Sequence, residues 1–193
     1  MPERPTAIAR SLPAAAVLAV CCALPAGAAA LVETSFGRTL VGQLITRRAG
    51  TLAPGTRVPA RDVGKRVFLD ARHGVALAGV GQAQYAVATV NGGATWRTSG
   101  PALHVAAAQA PLGVEEVGAA SRSVYWAAGG GEVVDATPDG GRHWYRTLFA
   151  GGVIGVLPQG GRLVALIAPL GGSQAATWIS TDRGRSWRYE PAP

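Results

Sequence analysis

Residues 137–144, Thr137-Pro138-Asp139-Gly140-Gly141-Arg142-His143-Trp144, decide how this chain is read, because the same pattern is written twice more. Thr89-Val90-Asn91-Gly92-Gly93-Ala94-Thr95-Trp96 precedes it, and Ser180-Thr181-Asp182-Arg183-Gly184-Arg185-Ser186-Trp187 follows. The shared form is Ser/Thr-x-Asp/Asn-x-Gly-x-x-Trp. A short Asp or Asn side chain accepts hydrogen bonds from backbone N–H groups inside a tight turn, and glycine takes positive φ without a Cβ clash. The closing tryptophan starts the next strand and offers a large apolar face to a neighbouring sheet.

Working outward, Trp96, Trp144 and Trp187 lie 48 and 43 residues apart, matching the roughly 40 to 50 residues of one four-stranded propeller blade. Strand-like pieces separated by glycine-rich turns fill the intervals. The first unit offers 67–70, 73–80, 84–89 and 96–98. The second offers 112–117, 123–128, 132–137 and 143–149, and the third 152–157, 162–168, 175–180 and 186–190. Apolar residues run almost continuously through Val75-Ala76-Leu77-Ala78 and Val164-Ala165-Leu166-Ile167, which predicts strands covered on both faces. The expected fold class is all-β: a partial or small β-propeller of about three to four four-stranded antiparallel blades.

The octets resemble Asp-boxes, also called BNR repeats, and Val67-Phe68-Leu69-Asp70-Ala71-Arg72-His73-Gly74-Val75-Ala76 is similar to the opening of a blade in that group. The resemblance covers residues 67–190. The group includes sialidases, other glycoside hydrolases, sorting-receptor ectodomains and photosystem II assembly-factor-like propellers. It implies that Thr89, Asn91, Gly93, Trp96, Thr137, Asp139, Gly141, Trp144, Ser180, Asp182, Gly184 and Trp187 are structural turn residues, set away from the binding face. Asn91 stands where the pattern usually has Asp, so the first turn carries no charge.

Composition agrees with a packed β chain. Of 193 residues, 27 are Gly and 13 Pro, while 48% are hydrophobic and only 15% charged, which disfavours both long helices and disorder. The net charge is +7, and Lys65 is the only lysine among singly scattered arginines. The cluster Arg183, Arg185, Arg188 beside Trp187 lies in a turn with solvated variable positions and forms no stripe, so nucleic acid is not an expected partner.

Residues 1–30 read as an export signal. Arg4 and Arg10 lead, Leu12 to Leu24 are mostly apolar, and small residues follow Pro25. The expectation is a secreted, periplasmic or envelope protein, membrane-bound only where this segment stays uncleaved. Cys21 and Cys22, the chain's two cysteines, lie inside the signal. Val20 stands before Cys21, where a lipoprotein signal has a small residue. Residues 31–66 are expected to give an N-terminal strand at 40–46 and a Gly-, Pro- and Arg-rich linker at 47–65, or a degenerate blade, leaving 67–193 for the octet-bearing units. About 163 residues remain after the signal, short of the four to eight blades of most propellers, so a second copy completing the ring is an expected partner.

Candidate chemistry is sparse. Glycosidases most often need two carboxyls flanking one bond, yet Glu115 and Glu116 are strand neighbours that point to opposite faces, as would Glu132 and Asp135. His73, His104 and His143 show no metal-ligand spacing. Arg57-Val58-Pro59 resembles the Arg-Ile-Pro motif of sialidases, whose arginine forks onto a substrate carboxylate. The expected function is a non-enzymatic binding or assembly module for a protein or glycan, without metal or cofactor. The alternative is a sialidase-like glycoside hydrolase, an exo-sialidase using Arg57, or its degenerate relative.

Overall fold

The computed structural model describes residues 28–103, 116–129, 131–169 and 174–191, and these form antiparallel β-structure. Three short strands come first: β1 (Ala30–Thr34), β2 (Gly37–Leu44) and β3 (Arg57–Val58), followed by a single 3-10 turn at Ala60–Asp62. Three four-strand meanders follow. The first is β4 (Val63–Phe68), β5 (Gly74–Val80), β6 (Ala83–Thr89) and β7 (Trp96–Leu103). The second is β8 (Glu116–Ala119), β9 (Tyr125–Ala128), β10 (Val133–Thr137) and β11 (Tyr145–Leu148). The third is β12 (Gly151–Gln159), β13 (Arg162–Pro169), β14 (Ala176–Ser180) and β15 (Arg188–Glu190).

Within each meander neighbouring strands in sequence are neighbours in the sheet, as short connections dictate. Every octet joins the third strand to the fourth: β6 to β7, β10 to β11 and β14 to β15. The twelve expected strands therefore exist where residues are described, with shifted ends. β4 begins at Val63, and β7 runs on to Leu103. Residues 112–115 of one expected strand, and all of 1–27 of the expected signal, lie outside the described residues.

The N-terminal segment departs from the linker expectation. β1 and β2 form a hairpin that adds to β11, extending the second sheet to six strands. Arg57–Val58, inside the supposed linker, pairs with β7 as a fifth strand of the first sheet. Unpaired backbone groups at the outer edges of both sheets are satisfied by this segment, a reason invisible to a strand-period argument.

Three apolar clusters hold the sheets. Val75, Leu77, Ala86, Leu103, Val117, Tyr125, Ala127 and Trp144 fill the space between the first and second sheets. Trp126, Val134, Ala136, Phe149, Val156, Ala165, Trp178 and Trp187 do so between the second and third, where Val41 of the hairpin joins them. Trp126 and Trp178 are thereby core residues. The outer side of the first sheet buries Trp96, Ala76, Ala78 and Val87 against Val58 and Val63. β5 is buried on both faces from Gly74 to Ala78, as its apolar run predicts. β13 is not: Val164 and Leu166 are half-buried while Leu163, Ala165 and Ile167 are covered. The expectation of two covered faces fails there because no further described sheet packs on that side.

The tightest join is at Trp144. Its indole N–H donates to the Ser99 carbonyl at 2.9 Å, and its ring stacks edge-on against Tyr125 at 5.5 Å. Gly100, at φ +152°, lies against the ring, and a Cβ there would fall inside the indole. Gly100→Ala is expected to cost about 2 to 4 kcal/mol through backbone strain and overpacking. Trp144→Phe should cost about 1 to 3 kcal/mol for the orphaned carbonyl and lost contacts. Urea unfolding followed by tryptophan fluorescence measures both.

Candidate functional site

The three octet turns are built by one set of bonds. In the second turn the Thr137 hydroxyl donates to Asp139 Oδ1 at 3.2 Å and accepts from Gly141 N at 2.8 Å, while His143 N donates to Asp139 Oδ1 at 2.9 Å. Ser180, Asp182, Gly184 and Ser186 repeat this at 2.8, 2.7 and 2.9 Å. Thr89, Asn91, Gly93 and Thr95 repeat it at 2.9, 3.0 and 3.0 Å. The opening hydroxyl thus bridges the acid to the glycine N–H, and an amide oxygen serves as well as a carboxylate.

The seventh position returns a side-chain bond to the third. Ser186 Oγ donates to Asp182 Oδ2 at 2.6 Å, Asn91 Nδ2 donates to Thr95 Oγ1 at 3.0 Å, and His143 Nδ1 lies 2.6 Å from Asp139 Oδ2. His143 therefore has a companion that the metal-spacing test overlooked. Burial pushes the Asp139 carboxyl up, but the His143 ring and backbone bonds outweigh this and leave it below its ordinary value. The fourth position is the odd one. Gly92 and Gly140 sit there at φ +69° and +75°, whereas the third turn places Arg183 at +64°, a left-handed conformation uncommon for a side-chain-bearing residue.

Asp70 centres another turn, between β4 and β5, whose partner in the next sheet was not legible in the sequence. Asp70 Oδ1 accepts from Arg72 N and His73 N, each at 2.8 Å, and His73 Nδ1 lies 2.9 Å away. Arg122, 52 residues on and in the second sheet's first turn, donates to Asp70 Oδ2 at 2.9 Å. These bonds, the Arg72 N–H foremost, hold the Asp70 carboxyl far below the usual carboxylate range. The Asx-type turn can be guessed from Asp70-Ala71-Arg72-His73, but its cationic partner is fixed only by how the sheets stack. Asp135 is fully buried, with Arg146 forked onto it at 2.8 and 2.7 Å, which raises the Arg146 pKa. Burial pushes the Tyr125 hydroxyl up to about 12.

The sequence candidates for catalysis are not brought together. Arg57 is exposed on an edge strand, and its cross-strand neighbour is another cation, Arg97. Glu115 and His104 lie outside the described residues. Asp139 and Asp182 are engaged in their turns. Among the described residues no group of three His, Cys, Asp or Glu side chains could hold a metal ion.

Two grooves open beside the turns. One, of about 370 Å³, lies between the first and second octets and carries Arg97 and Arg142 with Thr95, Ser99 and the apolar Pro54 and Val90. The other, of about 400 Å³, lies between the second and third sheets and carries Arg162 and Arg183 with Ser121, Ser123 and Gln159. Both linings hold arginines and no acid. Each wall therefore offers guanidinium fork donors. Comparison with family models, curated proteins and solved structures returned no match for the chain.

Asp139→Ala should cost about 1 to 3 kcal/mol by leaving the turn donors unpaired, and Asp139→Asn less than half of that, because Asn91 does the same work in the first turn. The folded Asp139 carboxyl lies below its unfolded value of about 3.9. Its contribution is therefore present above that pH and fades as pH falls through the folded value. Acid titrations monitored by near-ultraviolet circular dichroism should show a shallower acid loss in Asp139→Asn than in the parent chain.

Proposed function

We propose that the chain is an Asp-box, or BNR-repeat, propeller-type protein contributing three blades. The observation that carries this reading is positional. Three turns with one bonding scheme join the third and fourth strands of three successive antiparallel sheets, and the last two of their tryptophans pack into the cluster shared with the preceding sheet.

Within that class the chain acts as an exported, non-enzymatic binding or assembly module of the cell envelope or extracellular space, with a protein or glycan partner bearing anionic groups. Support comes from the export-type leader sequence, from grooves walled by arginine without acids, and from the commitment of Asp70, Asp135, Asp139 and Asp182 to local bonds. Exposed cations in water-filled grooves give modest affinity each, so recognition by several together is expected.

The test pairs binding with turnover. A panel of carboxylated and neutral glycans is offered to the parent chain and to a variant carrying Arg142→Glu and Arg183→Glu. Binding confined to carboxylated members, and weakened about tenfold or more in the variant, supports the reading. Hydrolysis of a fluorogenic sialoside that Arg57→Ala abolishes would replace it with the hydrolase alternative.

A further inference from the structure

Arg146 faces a recess that the octet grooves do not share. Register carries a row across the second sheet from β8 to β2: Val117, Ala127, Asp135, Arg146 and Gln43. Val117 and Ala127 fill the cluster against the first sheet, and paired residues share a face, so the whole row looks toward that sheet. Its inner half is apolar and its outer half is charged and polar. At that outer end Arg146, Gln43, Thr46 and Arg48 line a pocket of about 120 Å³, together with Ala102 of β7.

The Arg146 guanidinium is held in place. Its Nε and Nη2 donate to the two oxygens of Asp135, whose side chain is fully buried, while 20% of the arginine side chain stays exposed. Nη1 has no hydrogen-bond partner among the described residues. A buried ion pair adds little net stability, because desolvation of both charges offsets their attraction. This pair fixes the plane of a fork donor, so less side-chain freedom is lost when Nη1 meets an acceptor. Thr46 brings a hydroxyl, Gln43 an amide and Arg48 a second guanidinium, and among the described residues no acid lines the pocket. Asp135 cancels the charge of Arg146, so the pocket keeps the single net positive charge of Arg48.

We propose that this pocket binds the carboxylate of a small monoanionic ligand, with Arg146 Nη1, the Arg48 guanidinium and the Thr46 hydroxyl as donors. One net positive charge matches a carboxylate, whereas a phosphate dianion would be left half-compensated. The pocket is small, so it takes the carboxylate group and leaves the rest of the ligand in solvent. The site uses neither Arg142 nor Arg183. It therefore does not rest on the binding reading above, and either can fail while the other stands.

The test is a titration of the nitrogen-15-labelled full chain with sodium acetate to about 100 mM at fixed ionic strength, read by nuclear magnetic resonance at backbone amides and arginine Nε–H groups. Saturable shifts at Arg146 and Thr46 are expected, with a dissociation constant of about 1 to 10 mM for so small a probe. Arg48→Gln, at an exposed position, should keep the parent melting temperature and weaken binding about fivefold or more. The chain carrying Arg142→Glu and Arg183→Glu should bind acetate as the parent does. Hydrogenphosphate should bind the parent no more tightly than acetate. Asp135→Asn gives the pocket a second net positive charge and should raise the ratio of phosphate to acetate affinity about fivefold or more, a change that lost stability alone would not produce. Should Asp135→Asn fail to fold, Arg48→Gln decides. Shifts that stay linear in acetate throughout, equal binding by Arg48→Gln, tighter binding of hydrogenphosphate by the parent, or an unchanged ratio in folded Asp135→Asn overturns the proposal.

Discussion

The indole of Trp144 set into the Ser99–Gly100 backbone of the preceding sheet is the contact on which the arrangement depends. A turn by itself closes one meander and nothing more. When that turn ends in a fully buried tryptophan whose N–H reaches a carbonyl of the sheet before it, closing the meander also fixes where the next sheet stands. Trp187 fills the cluster between the second and third sheets, edge-on to Phe149 at 5.8 Å, by packing alone, since its buried indole N–H finds no acceptor among the described residues. Among the described residues no earlier sheet stands where Trp96 could enter it. The arm and Val58 occupy that place, with Phe68 edge-on at 6.0 Å and the Arg66 guanidinium 5.7 Å from the ring.

The turns are locally self-sufficient, which is why the pattern survives substitution. A hydroxyl, an acceptor oxygen and a glycine N–H close the loop whatever fills the variable places. The seventh residue, whether Thr, His or Ser, shares a further side-chain bond with the third. Those variable places are then free to carry recognition. Arg142 and Arg183 stand at such places, exposed beside grooves that open between neighbouring sheets. The architecture thus separates a bonded scaffold from an exposed cationic surface within the same eight residues.

How much could be read in advance differs by element. The octets, their place between third and fourth strands and the buried run at Val75–Ala78 follow from residue types and spacing, because turn bonding and strand alternation act over a few residues. Val164–Ile167 looks the same as Val75–Ala78 in sequence, yet Val164 and Leu166 on one of its faces are only half-buried. Burial is a property of what lies opposite, and no local pattern records whether a fourth sheet is there. The 47–65 stretch reads as a linker because proline and glycine break strand periodicity, and its two-residue pairing with β7 is too short to leave a period.

The sequence alone determined the all-β class, the three turns and the residues that close them, since these rest on interactions within about eight residues of chain. The tertiary structure decided which distant groups meet: Asp70 with Arg122, Trp144 with Ser99, and the hairpin with β11. Those pairings depend on how sheets stack and which edges are capped. Stacking is set by the shape of buried side chains across gaps of 40 residues or more, a scale at which spacing along the chain carries no geometric information.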